Sequence, residues 1–190
     1  MAFLLLAITT NYNLHSKNIV HMTQGSNELH FFYDAQNKPA VVVYNGTPYS
    51  YVKNLQGDIV AILDGSKNVV VSYVYDAWGR PISCSGTMAN TLGKINPFRY
   101  RGYVYDEETG LCYLRSRYLG PTICRFLNSD DRLILAMAAF GANQFCYVVN
   151  DPVNFCDTDG NEIGAHITNQ MIPPPSSGYV PPKGGTSTDW

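Results

Sequence analysis

Three stretches in the first half of the chain repeat one pattern: a β-rich run, a polar turn and a second β-rich run. They cover residues 29–44, 49–64 and 71–84, and their turns read DAQNK, KNLQGD and DAWGR. Asp or Asn opens such turns by bonding its own backbone, and Gly permits positive φ. A fourth turn, DGSKN, lies at 64–68. The spacing predicts antiparallel hairpins in an extended or wound sheet from about residue 18 to residue 126.

Composition supports a packed β-protein and argues against several classes of partner. Apolar residues make up 45% of the chain and charged residues 15%, which favours a core over global disorder. Eleven of the fourteen tyrosines fall between residues 33 and 118, which indicates aromatic-rich β-strands in that region. The net charge of −2 gives no basic footprint for nucleic acid and no attraction to anionic membranes.

The amino-terminal run and the cysteines and histidines suggest no export signal, membrane span or cofactor. The run MAFLLLAITT is too short to cross a bilayer and lacks a basic region and a cleavage site, so a buried strand is favoured. The five cysteines show no C-x-x-C spacing, and the sequence pairs none of the four histidines with a cysteine or carboxylate at a recognised ligand spacing. We therefore expect buried thiols, no metal site and no cofactor.

The second half carries a specific series of motifs. The two motifs are YVYDEETGLCYLRSRYLGPTICRFLNSDD at 103–131 and NQFCYVVNDPVNFCDTDG at 143–160. They follow a related motif in the first half of the chain, YVYDAWGRP at 73–81. This ordered set resembles the RHS/YD-repeat proteins and their RHS repeat-associated core domain, with the chain as a C-terminal fragment. The residues that carry the resemblance are expected to be structural: Tyr75, Asp76, Gly79, Arg80, Tyr105, Asp106, Gly110, Leu111, Arg115, Arg117, Tyr118, Arg125, Phe126, Asn150, Pro152, Asn154 and Gly160.

The resemblance implies a mainly β fold in which YD hairpins form part of a wound β-shell. In this family the core turns inward and plugs the shell, and a variable, often toxin-like, C-terminal region follows and is enclosed or delivered. The implied partners are an upstream YD-repeat shell, on the same or a neighbouring polypeptide, and a C-terminal toxin with its immunity protein in intact relatives. The implied location is the cell surface or the outside of a bacterial cell.

Four regions are expected along the chain. Residues 1–27 form an N-terminal strand region, read as the truncated end of a longer array, and residues 28–97 form the hairpin repeats. Residues 98–160 form the core, with one short helical segment between 130 and 149 because SDDRLILAMAAF combines a cap with strong helix formers. Residues 161–190 are rich in Pro, Gly and Ser, which predicts a linker or tail.

Two arginines and two aspartates are the candidate chemical groups. Arg115 and Arg117 stand two apart, so on a strand both would share one face and could pair with Asp106, Glu107, Asp130 or Asp131. By resemblance, Asp130 and Asp157 match a pair of acids that performs aspartyl self-cleavage in some members. Thr158 and Asn161 depart from that pattern, where the family has proline and leucine.

Three functions remain open at this stage. The first is a shell and plug segment without activity, and the second is an aspartyl-peptidase-like core that releases its own tail. The third is a surface adhesion or carbohydrate-contact module, since exposed tyrosine rings can stack on sugars.

Overall fold

The computed structural model describes residues 9–129, 143–157, 159–161 and 163–165. An eight-stranded antiparallel meander, in the order β1 to β8, makes up the first half. Its strands are β1 (Thr10–His15), β2 (Asn18–Gln24), β3 (Asn27–Tyr33), β4 (Pro39–Tyr44), β5 (Thr47–Lys53), β6 (Ile59–Leu63), β7 (Val69–Tyr75) and β8 (Pro81–Ser85).

Smaller elements make up the second half. A short helix α1 (Leu92–Ile95) and a 3-10 turn (Tyr100–Gly102) precede a four-stranded sheet in the order β12-β11-β10-β9. Its strands are β9 (Val104–Asp106), β10 (Leu111–Tyr113), β11 (Tyr118–Gly120) and β12 (Arg125–Phe126). A second 3-10 turn (Val148–Asn150) leads to the hairpin of β13 (Phe155–Asp157) and β14 (Ile163–Ala165). We call the described residues from 98 to 165 the cap.

Alternation along the strands gives the large sheet one buried and one open face. In β3, Leu29 and Phe31 are buried whereas Glu28, His30 and Phe32 are exposed. The period of two expected for a strand with one covered face explains this pattern. The buried side chains form one cluster: Met22, Leu29, Phe31, Val42, Tyr51, Ile59, Ile62, Val70, Val71, Tyr73, Leu92 and Phe98.

Four hairpin loops share one geometry, in which a side-chain oxygen at the first position accepts two backbone N–H groups. Asp76 Oδ1 accepts from Trp78 and from Arg80, both at 2.9 Å. The loops that begin at Asp34, Asn54 and Asp64 repeat these bonds at the same two offsets. The fourth residue has positive φ each time: Asn37, Gly57, Lys67 and Gly79. The prediction that Asp or Asn opens these turns is confirmed.

Strand order places three of these loops at one end of the sheet. In an antiparallel meander, alternate connections lie at the same end. The loops 34–38, 54–58 and 76–80 connect β3 to β4, β5 to β6 and β7 to β8, and so share what we call the loop end. The opposite end carries the tight turns 25–26 and 45–46 and the loop 64–68. The cap packs on the loop end.

The mainly β, antiparallel prediction is confirmed, including all four predicted turns. The helical prediction between 130 and 149 falls largely outside the described residues, although the 3-10 turn Val148–Asn150 lies at its end. Residues 1–8 of the run expected to form a strand, and residues 166–190 of the tail expected at 161–190, also lie outside them. Within that tail, Ile163–Ala165 forms β14. Among the described residues no helix is long and apolar enough to cross a membrane.

Candidate functional site at the loop end

Arg101 ties the cap to the loop end. Its backbone N–H donates to Asp58 Oδ1 at 2.9 Å, and its guanidinium donates to the carbonyl of Gln56 at 3.0 Å and to that of Pro152. Arg101 Nε lies 3.6 Å from Asp58 Oδ1 and has no hydrogen-bond partner of its own. Both side chains are buried, so their charges compensate each other away from water. One arginine thus joins a repeat loop to two distant parts of the cap.

Tyr100 fits against Gly79 in the last loop. A Cβ at Gly79 would lie 2.5 Å from two ring atoms of Tyr100, and the φ of Gly79 is +87°. The Tyr100 hydroxyl donates to the carbonyl of Ala77 at 2.8 Å. Glycine is therefore required twice, for the loop conformation and for the close approach of the ring. This gives a physical role to the Gly79 motif position.

Arg99 is buried between aromatic rings. Its guanidinium carbon lies 4.8 Å from the ring centre of Tyr73 and 5.1 Å from that of Tyr105. It donates to the carbonyl oxygens of Asn96 and Lys94 and to Glu107 Oε2, at 3.0 to 3.1 Å. The cation therefore joins a shell strand to the first cap hairpin.

Arg117 and Asp157 form a buried pair inside the cap. Arg117 Nη2 donates to Asp157 Oδ2 at 3.2 Å, and Arg117 Nε contacts the carbonyl oxygen of Gly160. Arg117 also lies on the ring of Phe126, 3.7 Å from its centre. The Tyr103 hydroxyl donates to the backbone carbonyl of Asp157. The pair is thereby enclosed by aromatic groups.

Asp157 organises the backbone that follows it. Its Oδ1 accepts the N–H groups of Gly160 at 2.7 Å, Asn161 at 3.1 Å and Asp159 at 3.2 Å. Burial raises the pKa of Asp157, and the N–H donors and Arg117 oppose that rise. Gly160 has a φ of +82°, and a Cβ there would lie 2.4 Å from Ser116 Oγ. Residues 159–161 are thus held against the Arg117 turn.

The prediction that Arg115 and Arg117 share a strand face is wrong. They lie in the turn between β10 and β11, where Arg115 has a φ of 72°. Arg117 is buried, while Arg115 is exposed and donates to Asn18 Oδ1 at 3.2 Å. Asp106 opens its own turn by accepting from Glu108 and Thr109. Among the described residues, the acid that meets Arg117 is Asp157, whereas Glu107 bonds Arg99; Asp130 and Asp131 lie outside the described residues.

The other predicted motif residues fall into the same framework. Arg80 bonds Asp76 at 3.2 Å, and Gly110, with a φ of 70°, ends the Asp106 turn. Asn154 donates to Asp151. Tyr75 ends β7 of the large sheet. The remaining positions lie in the small sheet or elsewhere on the cap: Tyr105, Leu111, Tyr118, Arg125, Phe126, Asn150 and Pro152. Asp130, the second predicted catalytic acid, lies outside the described residues, as does Thr158.

Sequence reasoning missed the residues that anchor the cap. These are Asp58, Asn96, Arg99, Arg101, Tyr103 and Tyr147. The available signal was the segment FRYRG at 98–102, which puts two arginines into an aromatic run. An arginine in such a run either faces solvent or is buried with partners. Both arginines here are buried.

An antiparallel meander with repeated Asp or Asn loops, together with a cap that arginines attach to one end of it, defines a YD-type β-shell segment. The chain belongs to the Teneurin YD-shell family, whose profile matches residues 8–153.

Two curated relatives are 37% and 38% identical over 152 residues, or 79% of this chain. They are the tRNA3(Ser)-specific nuclease WapA of Bacillus spizizenii and the tRNA nuclease WapA of Bacillus subtilis. The chain spans only 6% of the length of either. Among solved structures, the TcdB2-TccC3-Cdc42 crystal structure is similar over 74% of this chain and 7% of its own, with a TM-score of 0.61 and 24% identity. That likeness supports the fold alone.

Proposed function

We propose that the cap closes the loop end of a YD-repeat β-shell and so retains or presents the segment that follows it. The observation that carries this proposal is the triple attachment of Arg101, which bonds two residues of the 54–58 loop and the carbonyl of Pro152. Gln56 Nε2 adds a bond to the carbonyl of Val153 at 2.8 Å. A loosely associated tail would not bury two arginines against the loop end. On this proposal the chain has no catalytic turnover of its own.

The partners follow from the same proposal. They are further YD repeats that extend the sheet, and a variable C-terminal region of the toxin class, with an immunity protein where that region is active. In support, WapA relatives are named as nucleases and a Burkholderia cenocepacia relative as a double-stranded DNA deaminase toxin. We propose a cell-surface or secreted location on the same ground.

A chimera tests closure. The chain would replace the matching 152-residue segment of the Bacillus subtilis relative, followed by a reporter peptide. Limited proteolysis should cleave the reporter slowly when the chain is wild type and quickly when it carries Arg101→Leu. The control is Arg115→Ala, because Arg115 is exposed. Equal cleavage of the wild-type and Arg101→Leu chimeras would contradict a closing role.

Self-cleavage is a second candidate, favoured by one contact. Arg117 Nε approaches the carbonyl oxygen of Gly160, so it could stabilise negative charge if water attacked that carbonyl. Asp157 lies beside the same peptides, and its raised pKa suits an acid that shares a proton with a second carboxyl group. Against this, Asp157 already accepts from three N–H groups and from Arg117, which favours a structural role.

Intact mass over time separates the two candidates. We would compare fresh and aged wild-type protein with Asp157→Asn and Asp130→Asn, and use Asp131→Asn as the matched control. Self-cleavage predicts a tail lost just beyond Gly160 in wild type and in the control, but not in the other two variants. An unchanged full-length mass in every sample would leave the cap purely structural.

The adhesion alternative stays a prediction. Tyr51 and Tyr73 are buried in the shell core, which removes their faces from solvent. Tyr113 and Tyr118 remain exposed, in a cleft of about 490 Å³ between the cap and β1 to β3. A glycan array would test it, with Tyr118→Ala as the variant expected to lose any signal.

A further inference from the structure

Four polar side chains lie close together on the open face of the large sheet, far in sequence from the cap. Asn13, His21 and His30 are direct cross-strand partners in β1, β2 and β3. Glu28 lies two residues before His30 on the same strand, which puts it on the same face and diagonal to His21. The register of three strands therefore gathers groups that the sequence spacing had not suggested as ligands.

Their polar atoms converge on one point. His21 Nε2 lies 3.0 Å and His30 Nε2 lies 3.1 Å from the same carboxylate oxygen, Glu28 Oε1. The two imidazole rings stack with their centres 4.5 Å apart. One ligand atom from each of the three residues lies within 4.8 Å of the others. Two nitrogen donors and one oxygen donor thus face a common space.

We propose that His21, Glu28 and His30 bind a divalent transition-metal ion, and that zinc is the ion they suit. In a tetrahedral zinc site, bonds of about 2.0 to 2.2 Å place ligand atoms about 3.3 to 3.6 Å apart. The two nitrogen-to-oxygen separations need to widen by only a few tenths of an ångström to reach that spacing. Glu28 and His30 are exposed, so water can complete the coordination.

The donor set decides the class of metal. Two imidazole nitrogens and one carboxylate oxygen form a zinc-type set, whereas Mg²⁺ and Ca²⁺ require oxygen donors throughout. Within the first transition row such a set also takes nickel and copper, following the general affinity order. The site should therefore bind Zn²⁺ and should not bind Mg²⁺.

Asn13 is suited to orient one ligand. Its side-chain amide lies 2.8 Å from His21 Nδ1, on the side of the ring away from Glu28. With the amide turned so that its oxygen faces the ring, Nδ1–H donates to it and leaves Nε2 free for the metal. Asn13 is thus a positioning residue, and its removal should weaken metal binding about tenfold without changing the number of ions bound.

Calorimetric titration of the full, tag-free chain with ZnCl₂ tests the site. Cys84 is an exposed thiol that would compete for zinc, so every variant carries Cys84→Ser. We expect one Zn²⁺ per chain, with affinity at least tenfold weaker in His21→Ala, Glu28→Gln and His30→Ala. The matched control is His15→Ala, because His15 lies on the neighbouring strand outside the cluster, and it should bind as the parent does.

Two further readouts keep the test decisive. Co²⁺ should give a visible absorption band in the parent that His30→Ala abolishes, and MgCl₂ should give no heat. Circular dichroism should show that the variants keep their fold, since Glu28 and His30 are exposed. Failure of the parent to bind zinc at millimolar concentration, or equal binding by a variant that lacks all three ligands, would overturn the proposal.

Discussion

The large sheet and the cap are stabilised in different ways. The sheet buries apolar side chains at alternating positions along its strands. In four of its loops, a side-chain oxygen accepts hydrogen bonds from two backbone N–H groups of the same loop, as Asp76 does. The cap also has an apolar cluster, which includes Phe126 and Tyr147, but its attachments depend on buried arginines. Arg101 and Arg117 donate to backbone carbonyl oxygens of residues 45 and 43 positions away in the chain, and Arg99 donates to nearby carbonyl oxygens and to Glu107.

The difference concerns how local the stabilising interactions are. A loop such as 64–68 depends on hydrogen bonds within five residues, so its formation needs little from the rest of the fold. The cap depends on contacts such as that between Arg101 and Pro152, which exist only after the chain has folded back. We therefore expect damage to the arginines to release the cap and to leave the hairpin loops largely intact, apart from the 54–58 loop, which bonds Arg101 directly.

The largest effect is expected from Arg101→Leu. The substitution leaves the Asp58 carboxylate buried at 6% exposure without its counter-charge. Breaking a buried pair in this way costs about 3 to 5 kcal/mol of unfolding free energy. Urea unfolding followed by tyrosine and tryptophan fluorescence would measure it. Arg115→Ala is the control and should cost less than about 1 kcal/mol, because Arg115 is exposed. Similar losses in both variants would remove the distinction between the two regions.

Gly79→Ala should destabilise more than Gly57→Ala. Both glycines occupy the same loop position, with φ of +87° and +86°. Only at Gly79 does the added Cβ meet Tyr100, whereas Gly57 has nothing within 4 Å. The φ strain costs about 1 kcal/mol in each, and overpacking adds about 1 to 3 kcal/mol at Gly79. If urea unfolding gives the same unfolding free energy for Gly79→Ala and Gly57→Ala, the Tyr100 ring moves aside without a cost in stability.

The two regions should respond to pH with opposite signs. Hydrogen bonds from Asn68 lower the pKa of Asp64 in its loop, so its stabilisation is present above the ordinary aspartate pKa and is lost as pH falls through the lowered value. Burial raises the pKa of Asp157, so its contribution is complete below the ordinary value and is lost as pH rises through the raised one.

Urea unfolding between pH 3 and pH 7 measures both signs. The advantage of wild type over Asp64→Asn should shrink toward low pH. Its advantage over Asp157→Asn should shrink toward neutral pH. If the difference in unfolding free energy between wild type and Asp157→Asn instead grows as pH rises, Arg117 and the N–H donors lower the pKa of Asp157 more than burial raises it.

The smallest effect concerns thiol reactivity. Burial raises the pKa of Cys112 to about 12, and the thiol lies within the cap. Cys84 is exposed on β8, although partial burial of its thiol also raises its pKa. Because the thiolate is the reactive form, a disulfide reagent at pH 8 should label Cys84 first and Cys112 only after unfolding. Rapid labelling of Cys112 in the native protein would mean that the cap opens readily.

The sequence predicted the sheet better than the cap for a physical reason. Alternation and the Asp-opened turns are local signals, so the hairpins around Asp34, Asp64 and Asp76 could be predicted from short windows. The partners of Arg117 could not, because the chain leaves β10 with a positive φ at Arg115 and turns one arginine inward. His21 and His30 were missed for a related reason, since they meet only through cross-strand register.

Hydrogen–deuterium exchange by mass spectrometry on wild type and Arg101→Leu tests the central claim most directly. If Arg101 fastens the cap to the loop end, the variant should lose amide protection in peptides covering 98–126 and 143–157 and in the 54–58 loop, which bonds the cap. The turns 25–26 and 45–46, at the opposite end, should exchange as in wild type. A loss of protection confined to residues 99–102, or spread equally over both ends of the sheet, would contradict a cap held by this arginine.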